Sequence, residues 1–487
     1  MSAALPTRYD QLAADMTEAI HSGLLRPGDR LPSVRQTCTR RGVSPATVFQ
    51  AYGLLEERGL IEARPRSGYY VRARSTRSAT PQAAAVPAEA TPVAVAALAF
   101  DLLERTRDPA VVPLGSAFPA ATLFPIEALA RSAGRALRRL KPEQITSALT
   151  SGDPALRQAL LRRHALQGVP LTDDELVITH GAMEALNLCL QAVTRPGDTV
   201  AVESPCFYAA LHALERLQLR AVEVPTDPQE GLDLDALDAL LQQRRVAACW
   251  VMPTLQNPLG ATMPAARRPA LVALLAHHGV PLIEDDVYAE LQSDARRPLP
   301  AKAHDTQGEV LYCSSLSKCL APGWRVGWAA AGRHADTVRR LKMMTSLTTA
   351  LPPQLALADY LAHGGYDRHL RQLRAALDRG RLQVAAWVEA HFPEGTRITR
   401  PRGGYFLWLE LPAAIDTLAL CRDALAEGIS SAPGVLFSAD RRFTHHLRLN
   451  TGHPDDARVP DAVRRLGELA RAQLAHGGQA PAGQAPA

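Results

Sequence analysis

Two rhythms of apolar residues run along this chain. Over residues 7–21, Tyr9, Leu12, Met16 and Ile20 recur at three- to four-residue intervals, which places them on one face of a helix. Ser33 then stands as a cap before a short helix over 34–41, ended by Gly42. Ser44 is a second cap with Pro45 at the first helical position. Val48, Tyr52 and Leu55 form the buried stripe of a third helix, which Gly59 ends. LIEAR and YYVR flank PRSG, strand patterns on either side of turn chemistry. Three helices and a two-stranded ribbon predict a winged helix-turn-helix over residues 1–73.

From about residue 96 the rhythm changes. Short apolar runs bounded by turn signals alternate with amphipathic helices: LVIT (176–179), TVAVE (199–203), RAVEV (220–224), AACWVM (247–252), VPLIE (280–284), VLYCS (310–314) and VGWAA (326–330). Uninterrupted apolar strands of this length belong in a sheet covered on both faces, so an α/β domain is expected over 96–472. After about 355 a long helical stretch precedes strands near YFLWLEL (405–411) and HLRLN (446–450), predicting a smaller α+β subdomain over 355–472. Residues 74–95 are rich in Ala, Pro and Thr with few large apolar side chains, and read as a flexible linker. HGGQAPAGQAPA (476–487) closes the chain, and 473–487 reads as a disordered tail.

The 487 residues call for two or three domains. A net charge of +5 is modest, but nine arginines against four acids between Gly28 and Arg74 concentrate the excess near the N-terminus. Seven cysteines without a C-x-x-C pair or a zinc-like spacing suit a reducing cytoplasm and give no metal site. No apolar run reaches the ~18 residues a bilayer demands, so no membrane partner is expected.

In the winged helix the third helix would enter the major groove. Its outward Ala46, Thr47, Phe49 and Gln50 then face base edges of a double-stranded operator, where Gln can pair bidentately with adenine. Arg30, Arg35 and Arg66 are placed for phosphates, or in the wing's case the minor groove. Ser33, Ser44 and Gly68 complete the DNA-binding set; singly they read equally well as caps and turn residues. GLLRPGDRLPSVR, GVSPATVFQAYGLLEERGLI and ARPRSGYYV together resemble the DNA-binding domain of the GntR family over nearly all of residues 8–72.

The strongest chemical signal is SSLSKCLAPGWRVGW (314–328). A lone lysine is ordinarily a solvated charge, but Lys318 lies among hydroxyls in an apolar stretch with Arg325 seven residues on. A buried amine near a cation has a lowered pKa, which suits Schiff-base chemistry with an aldehyde. Ser315, Ser317 and Arg325 would hold a dianionic phosphate. In VITHGAMEAL a strand turns into a helix, and the amides of Gly181, Ala182 and Met183 there form an anion site or a plain turn. Asp285, at a strand end in IEDDVYAEL, can hydrogen-bond a pyridine nitrogen and keep it protonated. Tyr288 and Asn257 can bond a phenolic oxygen, and Phe207 in ESPCF can stack on the ring.

With those residues assembled, the region resembles the fold-type I aminotransferases over about 350 residues, through GDPALR (152–157), NP (257–258), D-x-x-Y (285–288), S-x-S-K (315–318), Arg325 and RLN (448–450). The resemblance implies pyridoxal 5'-phosphate on Lys318, Asp285 opposite the pyridine nitrogen, and Arg448 as clamp for the carboxylate of an amino-acid-like ligand; a structural salt bridge is the alternative for Arg448. Where the family often has a tyrosine that reaches the partner subunit's phosphate, this chain has the neighbourhood of Ser147. The whole chain resembles the MocR subfamily of bacterial regulators. That implies a homodimer that reads an operator and senses a small amine, or the vitamer itself; an active transaminase carrying a DNA-binding domain is the alternative.

Overall fold

The computed structural model describes residues 8–21, 25, 29–57, 60–64, 68–71, 79–84, 89–93, 108–146, 151–293, 297–363 and 365–477. They divide into two compact units, Met1–Ser78 and Ala79–Ala487.

The first unit is three helices and a ribbon: α1 (Arg8–His21), α2 (Val34–Arg41), α3 (Pro45–Glu57), and the antiparallel pair β1 (Ile61–Arg64) and β2 (Gly68–Val71). Leu12, Met16 and Ile20 of α1 pack with Val48, Tyr52 and Leu55 of α3 and Ile61 of the ribbon. Tyr52 is the hub of this small core. Its hydroxyl bonds Thr37 Oγ1 at 2.8 Å and donates to the Pro32 carbonyl at 2.7 Å, while its ring meets Tyr69 edge-on at 5.0 Å. One side chain thereby fixes α2 and the wing against α3. Ser33 and Gln36 form a capping box, and Gly42 closes α2 at φ 62°. Gly59 and Arg66 lie outside the described residues.

The second unit is built on a sheet of β3 (Thr91–Pro92), β4 (Leu176–Thr179), β5 (Thr199–Ser204), β6 (Arg220–Asp227), β7 (Gly231–Leu232), β8 (Ala248–Val251), β9 (Leu282–Asp285), β10 (Val310–Ser315) and β11 (Gly327–Ala330). Their spatial order is β3-β6-β5-β8-β9-β10-β11-β4, with β7 beside β6. β11 runs antiparallel to both its neighbours, and β5, β6, β8, β9 and β10 are mutually parallel. A second sheet follows: β12 (Arg397–Ile398), β13 (Phe406–Glu410), β14 (Ala432–Pro433) and β15 (His446–Asn450), in the order β12-β13-β15-β14. The helix Tyr366–His391 serves both cores: Leu370, Leu373 and Leu377 pack under the large sheet, Val384 and Val388 under the small one.

Three expectations need correction. Residues 74–95 are not a free linker throughout. Thr91–Pro92 adds an antiparallel edge to β6, Val93 is buried, and the Ala79 carbonyl accepts from the Ile398 amide at 2.9 Å. Backbone pairing on a sheet edge needs no large side chain and tolerates proline, so composition alone understates it. The small subdomain also recruits Val112 and Leu114 from before the large sheet, because Val112 exchanges hydrogen bonds with Gly428 and Ser430. Finally, the last helix, Val459–Gly477, runs into the expected tail.

Candidate cofactor and DNA-reading sites

Sheet order decides which loops meet. β8, β9 and β10 are parallel neighbours, so their carboxyl ends at Val251, Asp285 and Ser315 lie side by side. Antiparallel β11 then brings Gly327 between Ser315 and Thr179. The loops carrying Asn257, Asp285, Ser315–Lys318, Arg325 and Gly181 therefore converge at one edge of the sheet, where α/β folds bind ligands.

Arg325 has a left-handed backbone (φ 51°), and its guanidinium donates to Ser317 Oγ at 3.2 Å and to the His180 carbonyl at 3.1 Å. It lies flat against Gly181, where a β-carbon would sit 2.4 Å from Nη2. Gly181 itself has φ 77° and precedes the helix Ala182–Val193, whose N-terminus no side chain caps. Ser315 and Ser317 are buried, and the Ser317 amide donates to Ser315 Oγ at 3.4 Å. The group has the makings of an anion cradle: two hydroxyls, one guanidinium and a helix N-terminus with Ala182 and Met183 in its first turn.

The Lys318 amine donates to the Ala117 carbonyl at 3.0 Å and lies 3.9 Å from the Phe118 ring centre. Burial, reinforced by the Arg448 cation, lowers its pKa to about 7, with Asp285 pulling the other way. Asp285 is buried, and burial with Asp286 alongside raises its pKa to about 7. Tyr288 is buried against Tyr405 and Phe406, each ring 5.8 Å away, and burial raises its hydroxyl pKa. Phe207 caps the helix Tyr208–Arg216 and packs on Tyr208 at 5.1 Å.

Arg448 is fully buried. It donates to Asn257 Oδ1 at 3.2 Å, to the Gly115 carbonyl at 2.7 Å and to the Ser116 carbonyl at 3.2 Å, with its carbon 4.3 Å from the Phe406 ring centre. The salt bridge held open as an alternative is not what it makes: its observed partners are an amide and carbonyls.

Buried Asn257 Nδ2 and Arg448 Nε at this edge have no hydrogen-bond partner among the described residues, and the buried Asp285 carboxylate has no side-chain partner, with only the Val287 amide lowering its pKa. An unmade buried hydrogen bond costs roughly 1–3 kcal/mol, more for a charge, so such a set fits a ligand offering a ring N–H to Asp285 and an oxygen to Asn257. With the anion cradle and the amine, the residues fit a phosphorylated pyridine aldehyde.

The sequence reading missed the strap that covers the amine. Asn450 Nδ2 donates to the Ser116 and Phe118 carbonyls at 3.1 and 2.7 Å, and the Tyr405 hydroxyl to the Ala117 carbonyl at 3.1 Å. Ala117 contributes only its backbone, which leaves no residue-type signal. Tyr405 reads as one more apolar strand position. Ser147 lies outside the described residues.

On the DNA-reading unit, Ala46 and Gln50 are exposed and Phe49 is 56% exposed, an unusual display for a phenylalanine. Thr47 is half-buried; its hydroxyl bonds Ser44 Oγ at 2.9 Å, and its amide donates to the same Ser44 oxygen at 3.2 Å. Ser33 and Ser44 are thus caps in fact. Arg30 and Arg35 are exposed, and the Arg30 guanidinium lies beside Gly68, whose added β-carbon would meet Nε at 3.4 Å.

Residues 8–71 match the bacterial regulatory proteins of the gntR family, and residues 118–466 match aminotransferase class I and II. An uncharacterized HTH-type transcriptional regulator, YdcR of Escherichia coli K12, is 48% identical over 470 residues, covering 96% of this chain and all of the relative. The chain belongs to the MocR-type family of regulators. Among solved structures, a multiple substrate aminotransferase from Thermococcus profundus is 29% identical with a TM-score of 0.72, covering 78% of the MocR-type chain and 95% of its own. The α-aminoadipate aminotransferase LysN from Thermus thermophilus, complexed with N-(5'-phosphopyridoxyl)-L-leucine, is 30% identical with a TM-score of 0.69, covering 76% and 94%. The MocR-type chain is thus a whole fold-type I aminotransferase unit with a winged-helix unit ahead of it.

Proposed function

We propose that this chain is a cytoplasmic transcription regulator that holds pyridoxal 5'-phosphate at Lys318 and changes its grip on an operator when an amino compound enters that site. The observation that carries the reading is a buried Asp285 carboxylate without a side-chain partner and an unpartnered Asn257 Nδ2, beside a lysine whose pKa is lowered to about 7. The LysN complex, with a phosphopyridoxyl amino acid bound to a relative of this unit, supports the same assignment.

Bound pyridoxal phosphate supplies an aldehyde that condenses with a primary amine and a ring that withdraws electrons. Lys318, largely neutral at physiological pH, provides the nucleophilic amine. Arg325, Ser315 and Ser317, with the amides of Ala182 and Met183, would hold the phosphate. Asp285 would keep a proton at the ring nitrogen, Asn257 and Tyr288 would donate to the phenolic oxygen, and Phe207 would cover the ring face. Arg448 receives the effector's carboxylate by giving up the Gly115 and Ser116 carbonyls, which couples occupancy to the strap at Gly115–Phe118. A regulator needs only this difference in binding between two arrangements. Two copies, each with a winged helix reading a half-site, complete the assembly.

The test is Lys318→Ala. It should abolish the visible absorption of the reconstituted protein and its response to amines while leaving circular dichroism unchanged; a retained visible band refutes the site. Relatives that are aminotransferases, such as the Thermococcus protein, favour a second reading in which turnover persists. Keto-acid release over many turnovers from a panel of amino donors would establish it.

A further inference from the structure

A cavity lies against the large sheet beside the Lys318 site. It has a volume of about 1260 Å³, and the side chains on its floor come from the same strands as the Lys318 site. Side chains alternate between the two faces of a strand. In β10, Cys313 faces the helix Ala182–Val193, its sulfur 3.5 Å from Cys189, and it pairs in register with Asp285. Its neighbours Tyr312 and Ser314 face the other way and line the cavity, together with Trp328, the register partner of Ser314 in β11, and Asp286. Ser315 of the anion cradle also lines it, so the two sites lie on opposite faces of the sheet and meet at the end of β10.

The floor is an aromatic box with unused hydrogen-bonding capacity. The His164 ring meets Tyr312 at 5.5 Å and Trp328 at 5.7 Å, both edge-on. Trp328 Nε1 and His164 Nδ1 are buried, belong to residues lining this cavity, and lack a partner among the described residues. Asp286 accepts from the Tyr312 hydroxyl at 2.9 Å through Oδ2, and the Thr254 side chain helps hold its charged form. Buried polar atoms left open in one wall are ordinarily answered by waters or a ligand.

The mouth is cationic. Of the acids lining it, Glu290 is bridged by Arg163, Arg297 and Arg374 at 2.7, 2.5 and 3.3 Å, Asp359 by Arg135 at 2.5 Å, and Asp367 by Arg163 at 3.0 Å. Arg139 and Arg162 stand exposed at the rim. A flat ring fits the box, a ring N–H answers the Asp286 carboxylate or a lone-pair ring nitrogen answers the Trp328 N–H, and an anionic substituent answers the rim.

We propose that this cavity is a second small-molecule site, adjoining the Lys318 pocket at Ser315, for a planar aromatic acid carrying a hydrogen-bonding ring nitrogen. Its ligand touches Asp286 and Ser314, the chain neighbours of Asp285 and Ser315, so occupancy at the back of the sheet is felt by the residues at its front.

The experiment uses the full chain loaded with pyridoxal phosphate and labelled with 5-fluorotryptophan, its five resonances assigned by single Trp→Phe variants. Indole-3-acetate and quinoline-2-carboxylate are titrated to 2 mM. The expected result is a saturable shift of the Trp328 fluorine resonance by at least one of the two. Ala159→Phe, which narrows the cavity from the helix Pro154–Leu166 without removing a hydrogen bond, should weaken it at least tenfold while the other four resonances keep their positions. Should no probe move the Trp328 resonance, or should a probe alter only the visible band of the cofactor, the second site is refuted. The same holds if the shift survives Ala159→Phe unchanged.

Discussion

The Arg325 guanidinium rests on the backbone of Gly181, leaving no room for even a methyl group: an added β-carbon would approach Nη2 to 2.4 Å. The glycine has φ 77°, a region costly for other residues, so Gly181→Ala is strained as well as crowded. It should push the guanidinium off the anion cradle and lower affinity for pyridoxal phosphate at least tenfold, or about 1.4 kcal/mol. The non-phosphorylated pyridoxal should be affected much less. Titrating each aldehyde while following visible absorption checks this, and equal losses for both would disprove the cradle.

Lys318 should impose a pH dependence on cofactor uptake. Burial beside Arg448 lowers its pKa from 10.5 to about 7, so the neutral, nucleophilic amine is about one-tenth populated at pH 6 and nine-tenths at pH 8. The rate of visible-band formation on the apoprotein should climb about tenfold per pH unit below 7 and level off above it. Arg448→Leu removes a neighbouring cation and should move the midpoint upward. A wild-type midpoint above pH 9 would contradict the assignment.

The strands around this site were legible because each is an uninterrupted apolar run, and Lys318, Arg325 and Asp285 were legible because polar residues at strand ends interrupt that pattern. The strap was not. Ala117 takes part through a carbonyl, which any residue supplies, and it meets Tyr405 across more than 280 residues of sequence, while Asn450 holds the Ser116 and Phe118 carbonyls on either side. The same reason hid the Thr91–Pro92 edge strand and the recruitment of Val112 into the small subdomain: both depend on backbone hydrogen bonds to remote segments. In the first unit the stripe of Val48, Tyr52 and Leu55 was readable from its spacing. The bond from Tyr52 to Pro32 was not, since it depends on how α2 and α3 cross.

Asp285 should make the apoprotein more stable in acid. Its folded pKa is raised from 3.8 to about 7, so the native state holds a proton that the unfolded chain releases. The stability this gives is fully present below about pH 4 and is lost as pH rises through 7. A lift of that size corresponds to ~4 kcal/mol at most. Glu203 and Glu284 are raised by burial in the same direction, so the comparison must be with Asp285→Asn. That variant should be more stable than wild type at pH 8 and nearly equal at pH 4, as denaturant unfolding of the two apoproteins would reveal. Loading the cofactor should narrow the gap in the wild type's favour, because a protonated ring nitrogen gives the carboxylate its missing partner.

Arg35 and Gln50 should fail in different ways when shortened. Arg35 is exposed on α2 with no apolar packing to lose, so Arg35→Ala should weaken every duplex alike and reduce the slope of log affinity against log salt by about one counterion. Gln50, exposed on α3 beside Phe49, would read a base edge; Gln50→Ala should leave the salt slope intact and lose about 1–3 kcal/mol of discrimination at one operator position. Both follow from fluorescence anisotropy on the mapped operator and its single-base variants at several salt concentrations. If the two variants changed slope and specificity together, or changed neither, α3 would not be the reading helix.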